Sequence, residues 1–376
     1  MASPFSRSKS CRYVVVERFI SCKNTPFYSN MQRNGRFICI FAGSMERTDT
    51  NQYDIIRQLR LPLIVLVTYA HSYNEMTDGY SVLGSGWDMY EVLKLVVSQT
   101  LVKAAMPMFF FISGYLFFDN VEKWDWQTYL QKMKRRIKTL LIPYLVWNLL
   151  MAVKLRAFSF SIFWEPANMP LWFLRDLIVV SMFTPIIYIG VRKLGWWILL
   201  LLLPVYATGI WAIQPGPTPY AVCFFTLGAL MSIKKMNIIE TFSKRAPLWY
   251  LLFASFGLSM VLTYPTSAFP VLMLCFRLVS IAAVFCFANR ILSCTTKRIP
   301  QVVCNSSYFI FLAHYVFFLS FIDSAFFSFF GTSTWSLCGH FLLCPLLKAT
   351  IFVIVYCLYQ RQKDSVLRKD LSESHS

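Results

Sequence analysis

Long apolar stretches separated by short polar connections dominate the chain after its first 44 residues. A helix needs about 20 apolar residues to cross a hydrocarbon core about 30 Å thick. The pattern therefore predicts an all-α polytopic membrane protein with about ten transmembrane helices. The predicted spans are Leu61–Asn74, Gln99–Phe118, Ile137–Val153, Leu171–Val191, Trp196–Ile213, Tyr220–Ile233, Leu248–Tyr264, Pro270–Ala288, Ser307–Ile322 and Leu337–Tyr359.

Composition strengthens this assignment. Hydrophobic residues make up 57% of the 376 residues and charged residues 14%, and the mean hydropathy is +0.52, which is too apolar for an ordinary soluble domain. The net charge of +18 lies in short clusters between apolar segments, so we expect it to set membrane orientation and expect no nucleic-acid partner. The eleven cysteines show no paired CxxC spacing, which predicts neither a metal site nor a disulfide framework.

The connections between the predicted spans alternate in charge, and this alternation predicts an orientation. One set, which we call the basic side, carries most of the Lys and Arg residues. Its members are Arg57, Arg60, Lys132, Lys134, Arg135, Arg136, Lys138, Arg192, Lys193, Lys234, Lys235, Lys244, Arg245, Arg290, Lys297, Arg298, Arg361, Lys363, Arg368 and Lys369. The connections of the other set, the opposite side, contain only Lys154 and Arg156. The positive-inside rule then places both termini in the cytoplasm, which agrees with an even number of spans.

The first 44 residues differ from the rest. They carry seven Lys and Arg residues against the single Glu17 and have no long apolar run, so they do not match a secretory signal. Residues 1–44 are a basic polar N-terminal extension, and our hypothesis is that this extension is not native and that Met45 is the true start. Residues 45–360 form the predicted membrane domain, and residues 361–376 form a short cytoplasmic tail.

The first candidate for chemistry is His71, near the end of the first span, with ten residues between it and Arg60. Eleven helical steps place the two about 16 Å apart. With Arg60 near the cytoplasmic face and the His71 imidazole deeper in the membrane, a donor molecule bound from the cytoplasm could reach an acceptor molecule that enters from the other side. The alternative is that His71 hydrogen-bonds a neighbouring helix and has no chemical role.

Several further segments carry polar groups in or near apolar helices. Ser113 and Gly114 lie within the block Met106–Leu116 and permit close helix contact. The cluster Lys134–Lys138 is either a topological anchor or a phosphate pocket for a nucleotide-containing donor, since guanidinium groups bind phosphate in a bidentate way. The other polar groups are Glu165, Trp172, Arg175, Asp176, Arg277 and His314.

These later groups also allow two interpretations each. Arg175 and Asp176 form a charged pair expected to face a polar interior. Glu165 and Asp176 would assist proton transfer or orient an imidazole, while Trp172 is also typical of a membrane-interface belt. Structural partnership is favoured over catalysis for Arg277 and His314.

Taken together, the segments resemble the acyltransferase-3 family of integral membrane acyltransferases, the bacterial O-acetyltransferase type. The segments that carry the resemblance are Arg60-x10-His71, the block Pro107–Leu116, the basic cluster leading into Leu141–Tyr144, Pro170–Leu174, Phe225–Gly228 and Tyr308–His314. The resemblance covers residues 53 to about 360.

The resemblance implies a multi-pass protein of the bacterial inner membrane that moves an acyl group, usually acetyl from acetyl-CoA, to a hydroxyl of an envelope carbohydrate. It implies His71 as the catalytic base or nucleophile, and no permanently bound cofactor or metal. Donor binding would fall to Arg60, Arg135, Arg136 and Lys138, with Ser113, Glu165, Trp172, Arg175 and Asp176 in support. The family commonly has Arg in place of Lys138, and lysine keeps the charge but loses the planar fork.

Two other functions also fit a polytopic chain. In a transporter or flippase for a glycan or a small solute, Arg60, His71, Arg175 and Asp176 would line a translocation path. A membrane scaffold for polymer assembly would need no chemistry at His71. The acyl group, the sugar and the oligomeric state are left open by the sequence.

Overall fold

A computed structural model of the chain describes residues 52–71, 88–121, 124–156, 164–208, 218–264, 269–317 and 319–373. The predicted extension at residues 1–44 lies outside these ranges. The contacts reported below lie within one compact unit, residues 51–289 and 298–376. Within the described ranges the secondary structure is helical and contains no strand, so the prediction of an all-α protein is confirmed there.

Fifteen α-helices follow one another along the described chain. They are α1 Gln52–Ala70, α2 Met89–Val97, α3 Lys103–Phe118, α4 Trp126–Arg136, α5 Ile142–Leu155, α6 Trp172–Met182, α7 Thr184–Leu194, α8 Trp197–Thr208, α9 Pro219–Ile233, α10 Ile238–Ser243, α11 Ala246–Thr263, α12 Phe269–Cys294, α13 Gln301–Ala313, α14 Ser320–Phe330 and α15 Thr334–Glu373. Two π-helices join neighbours without a break, Ser98–Val102 between α2 and α3, and Ile137–Leu141 between α4 and α5.

Five described helices are long and apolar enough to cross a membrane, which makes the chain a multi-pass membrane protein. They are Met89–Phe118, Trp126–Leu155, Ala246–Thr263, Pro270–Cys294 and Thr334–Ser365. A sixth span results if α6 and α7, which are bent by 63°, are counted together. The predicted total of ten is not confirmed. The other four predicted spans fall on α1, which has three charged residues in its first half, and on the shorter helices α8, α9 and α13.

Several predicted boundaries are wrong. The predicted span Ile137–Val153 belongs to a helix that begins at Trp126, and the predicted span Ser307–Ile322 is interrupted between Ala313 and Ser320.

The helix that contains the predicted span Gln99–Phe118 begins at Met89, ten residues earlier. Glu91 looks like the end of a polar connection, but its carboxylate lies 2.8 Å from the Lys94 ammonium and both side chains are buried. Oppositely charged side chains three residues apart are neighbours on a helix, so the pair neutralises itself and the helix continues.

The closest helix contact in the core joins α3 and α9. A Cβ atom added to Gly114 would lie 2.0 Å from the carbonyl oxygen of Phe225, and one added to Gly228 would lie 2.0 Å from that of Phe111. The two backbones therefore touch where each helix has a glycine. This confirms that the segment around Ser113 and Gly114 permits close helix approach.

The ends of several helices meet on the basic side. A cavity of about 610 Å³ is lined by Gln52 of α1, Asp119 after α3, Arg192 of α7 and Lys235 after α9. These residues come from four separate connections that the charge pattern assigns to one side of the membrane. The structure therefore places these residues around one cavity at the same end of the helices.

The contact between α3 and α9 predicts an asymmetry among glycine substitutions. Gly228→Ala should lower stability by about 1–3 kcal/mol or more, because a backbone atom blocks the added methyl group. Gly257→Ala is the matched control, since its Cβ would meet only side-chain atoms at 3.4 and 3.5 Å. Thermal unfolding of the detergent-purified protein measures both, and equal melting temperatures for the two variants would contradict the close contact.

Candidate functional site

A second cavity, of about 380 Å³, opens at the other ends of α1, α3 and α9, and we call it the histidine cavity. Its polar and aromatic lining consists of His71, Lys103, Trp172, Thr218, Tyr220, Arg277 and Phe311. Because α1 runs from the basic side to His71, this cavity lies toward the opposite side. It is the place where the sequence candidates His71 and Trp172 meet.

His71 directly follows α1, and its backbone N–H donates to the Thr68 carbonyl over 3.3 Å. Its ring centroid lies 5.3 Å from that of His314 and 5.7 Å from that of Tyr315. The His71 side chain is partly accessible and lines the cavity, whereas His314 is buried with 7% exposure. The structure therefore pairs two imidazoles that are 243 positions apart in the sequence.

The surroundings of His314 define its tautomer. Nδ1 lies 3.0 Å and 2.9 Å from the carbonyl oxygens of Ile310 and Phe311. Carbonyl oxygens only accept hydrogen bonds, so in the neutral ring Nδ1 carries the proton and Nε2 keeps its lone pair. Nε2 is buried and has no hydrogen-bond partner among the described residues. The sequence favours a structural role for His314, but the structure places it beside His71 with an unused acceptor.

Asn168, which the sequence did not single out, anchors the loop that leads into the cavity wall. The residue is fully buried. Its backbone N–H donates to Asn148 Oδ1 over 3.3 Å, and its Nδ2 donates to the Leu312 carbonyl over 3.3 Å. Asn168 therefore links the loop to α5 and to the helix that carries His314. A buried asparagine is visible only through such long-range contacts, which local sequence patterns do not contain.

The predicted pair Arg175 and Asp176 is confirmed as an ion pair. Arg175 Nη2 lies 2.9 Å from Asp176 Oδ1, and Asp176 is fully buried. The other carboxylate oxygen accepts from the Thr218 backbone N–H at 3.1 Å and from the Thr218 hydroxyl at 2.6 Å. Thr218 in turn caps the first turn of α9, where its oxygen satisfies a free backbone N–H.

These contacts give Asp176 a structural role instead of the expected role in proton transfer or imidazole orientation. Both of its oxygens accept hydrogen bonds from Arg175 or Thr218, and its hydrogen-bond partners among the described residues include no imidazole. Its role is to fix the start of α9 and so to position Tyr220 in the cavity wall. Glu165 is exposed, and the described hydrogen bonds do not connect it to His71. The idea that either carboxylate orients the His71 imidazole therefore gains no support.

Trp172 forms part of the cavity wall. Its ring lies 6.2 Å from Phe110 and 6.4 Å from Tyr220, distances at which aromatic rings attract each other edge to face. Trp172 therefore packs inward against α3 and α9 as well as bordering the cavity. An interfacial-belt role does not account for these contacts.

Two cations face the histidine cavity. The Arg277 guanidinium lies over the Tyr220 ring, 4.7 Å from its centroid, and Nη1 donates to the Tyr206 hydroxyl. Lys103, at the start of α3, lines the same cavity. The sequence analysis did not single out Lys103, although a lysine inside an apolar run is the signal that would have found it.

The predicted donor-binding residues lie elsewhere. Arg136 donates to the Ser113 hydroxyl over 3.0 Å and stacks on Phe117 at 5.2 Å, so Ser113 and Arg136 form one contact between α3 and α4. Arg135 and Lys138 are exposed, and Arg60 is partly buried within α1. The described lining of the histidine cavity includes none of these five residues. The structure therefore separates them from His71, toward the basic side.

Comparison with known proteins now adds a family to this geometry. A family model described as an acyltransferase domain matches residues 53–359, which is most of the chain. The chain belongs to the acyltransferase-3 family. The match contains both histidines, both cations of the histidine cavity and the Arg175–Asp176 pair.

The acyltransferase-3 chain also resembles a curated protein. It is 25% identical over 171 residues to the succinoglycan biosynthesis protein ExoH of Rhizobium meliloti (strain 1021), a stretch that covers 39% of this chain and 45% of the relative. The match thus spans less than half of the relative's length. No solved structure matches the chain.

A separate polar cluster of the acyltransferase-3 domain joins α14 and α15. Asp323 accepts hydrogen bonds from His340 Nε2 at 2.8 Å and from Lys348 Nζ at 2.7 Å. Asp323, His340 and Cys344 also present ligand atoms within 4.8 Å of one another, the one described group that could hold a metal ion. Lys348 already occupies one carboxylate oxygen and His340 the other, so the cluster satisfies its acceptors internally.

The buried ion pair leads to a stability prediction. Asp176→Ala should lower stability by about 3 kcal/mol or more, because it leaves the Arg175 charge buried without its partner. Glu240→Ala is the matched control, since it breaks an exposed pair with Lys244 and should cost less than about 1 kcal/mol. Thermal unfolding in detergent compares the two, and a similar small loss for both would show that Asp176 does not hold the α6–α9 junction.

Proposed function

We propose that the chain is a membrane acyltransferase that moves a short acyl group, typically acetyl, from an acyl-CoA to a hydroxyl group of an envelope carbohydrate. The observation that carries this proposal is His71, which lines a cavity and packs against a second imidazole with a free lone pair. Family membership supports acyl transfer. The similarity to a succinoglycan biosynthesis protein supports a polysaccharide acceptor.

The proposed reaction uses His71 as a base. His71 takes the proton of the acceptor hydroxyl as its oxygen attacks the thioester carbonyl carbon. The new C–O bond forms, the C–S bond breaks, and the proton passes to the departing sulfur, so that the products are an ester and free coenzyme A. If His71 acts as a nucleophile, it carries the acyl group on its ring and the hydroxyl then attacks that acyl group.

The basic residues at the other end of α1 supply the donor side of this proposal. Arg60, Arg135, Arg136 and Lys138 would bind the phosphates of the acyl-CoA, since charge-assisted hydrogen bonds to phosphate are strong. Lys138 contributes a positive charge but lacks the paired N–H donors of an arginine guanidinium. The acyl-CoA is then a donor substrate, and the enzyme needs no permanently bound cofactor.

The proposed topology follows the charge pattern. Ten crossings would place both termini in the cytoplasm of a bacterial cell, with the protein in the inner membrane. The donor phosphates would then be bound near the cytoplasmic face, and the acceptor would enter the histidine cavity from the other side. The shared location of Gln52, Asp119, Arg192 and Lys235 supports the common side of four connections.

The first functional prediction concerns His71. His71→Ala should remove the base-labile O-acyl groups that the enzyme adds to envelope polysaccharide, because the acceptor hydroxyl loses its base. Mass spectrometry of the polysaccharide before and after mild base measures the change at matched membrane levels of the protein. His340→Asn is the control, because His340 lies in the Asp323 cluster and does not line the histidine cavity.

The same experiment separates the transferase from its competitors. Loss of the acyl group with the polysaccharide still present at the surface supports transfer. Unchanged acylation, or loss of the polysaccharide itself, would contradict the proposal and favour a transporter or a scaffold.

A second prediction concerns His314. His314→Ala should lower acyl transfer at least tenfold, since general acid–base groups typically contribute about 10²–10⁴-fold, and His314 is the residue that packs directly on the His71 ring. Transfer of labelled acyl groups in membrane vesicles measures the rate. His314→Ala with wild-type rates would show that the second imidazole has no part in the reaction.

A further inference from the structure

The histidine cavity has an unbalanced charge. Lys103 and Arg277 both face it, and its described lining contains no carboxylate. Asp176, which accepts a hydrogen bond from the lining residue Thr218, is also paired with Arg175. Two cations with no acid among the described lining residues are thus held inside a cavity that also contains His71.

Such an arrangement is costly unless an anion binds. Moving a charged side chain out of water is unfavourable unless the charge is paired. Lys103 lies in the middle of the 30-residue apolar helix Met89–Phe118, so it is about 20 Å from either end of that helix. A topological anchor would lie near a helix end, and this position therefore argues for a ligand.

Arg277 is held so that part of its guanidinium is left for a ligand. One face packs on the Tyr220 ring, and Nη1 donates to Tyr206. Nε is buried and has no hydrogen-bond partner among the described residues. A fixed guanidinium with an unused donor is the arrangement that recognises a carboxylate.

We propose that Lys103 and Arg277 bind a carboxylate of the substrate, so that the enzyme acts on an anionic substrate. This inference rests on the proposed acyl transfer at His71. The carboxylate has two possible sources, either the free end of a dicarboxylic acyl group such as succinyl or the acid group of a uronic acid acceptor. A cavity of about 380 Å³ has room for such a group beside His71.

The test measures donor preference in inverted membrane vesicles that contain the full chain and its polysaccharide acceptor. Radiolabelled acetyl-CoA and succinyl-CoA are supplied separately, and base-labile label in the polysaccharide is counted. The variants are Lys103→Met and Arg277→Gln, with Lys103→Arg as the variant that keeps the charge. Lys244→Met removes an exposed basic-side cation and serves as control, with transfer from both donors expected to be unchanged.

If the acyl group carries the carboxylate, succinyl should be transferred at least tenfold faster than acetyl. Lys103→Met and Arg277→Gln should each lower the succinyl-to-acetyl ratio at least tenfold, and Lys103→Arg should retain most of it. If the acceptor carries the carboxylate, acetyl should be transferred to a uronic acid. Chemical reduction of the acceptor carboxyl groups should then abolish labelling, and both variants should raise the acceptor KM at least tenfold.

Transfer of a neutral acyl group to a neutral sugar, with the same donor ratio in all variants, would overturn the anionic substrate and leave acyl transfer intact. Label that does not depend on His71 with either donor would overturn the proposed function and this inference together. Comparing Lys103→Met with Lys103→Arg at matched membrane levels separates loss of charge from loss of folded protein.

Discussion

The direct backbone contact between α3 and α9 is the constraint on which the site depends. Gly114 and Gly228 remove the side chains that would hold these helices apart. The start of α3 brings Lys103 to the histidine cavity, and the start of α9 brings Thr218 and Tyr220 to it. Because interiors are close-packed, widening the contact by one methyl group would move Lys103 away from Thr218 and Tyr220. The cavity geometry therefore follows from two glycines, each in the second half of its helix.

Two π-helical turns lie next to the cations Lys103 and Arg136 and affect the direction in which their side chains point. The π-helix Ser98–Val102 ends one residue before Lys103, and the π-helix Ile137–Leu141 begins one residue after Arg136. An extra residue in a helical turn rotates everything that follows it relative to what precedes it, and such bulges are frequent at functional sites. In both cases one continuous membrane helix carries a cation beside the bulge, Lys103 facing the histidine cavity and Arg136 bonded to Ser113.

The sequence predicts those features of the fold that depend on neighbouring residues in the chain. Apolar runs show that the chain is helical and membrane-spanning, and Ser113 with Gly114 marks one segment where helices approach closely. The start at Met89 is hidden because Glu91 and Lys94 neutralise each other, which a hydropathy count cannot register. The partnership of His314 with His71, the anchoring by Asn168 and the cavity position of Lys103 depend on contacts between distant segments, and a lone sequence does not contain them. Asp176 was recognised as important, but only its bonds to Arg175 and Thr218 show that it organises a helix start.

Basic side chains lie at two depths, which can be measured along the axis of α1. Arg60 and the α4 cluster lie toward the basic side, whereas Lys103 and Arg277 lie with His71 about 16 Å further along the helix. An acyl-CoA has its phosphates and its thioester at opposite ends of a long flexible arm, so one molecule can engage the basic residues while its acyl group reaches the imidazole. A cation pair beside His71 is not needed to bind the phosphates of coenzyme A, since in the proposed complex those phosphates lie near Arg60 and the α4 cluster. If His71 is the reacting group, as proposed, a cation pair beside it would select the acyl group or the acceptor, and either of these carries negative charge only when it contains an acid group. In the proposed reaction the two depths would therefore separate recognition of the donor phosphates from recognition of the acyl group and of the acceptor.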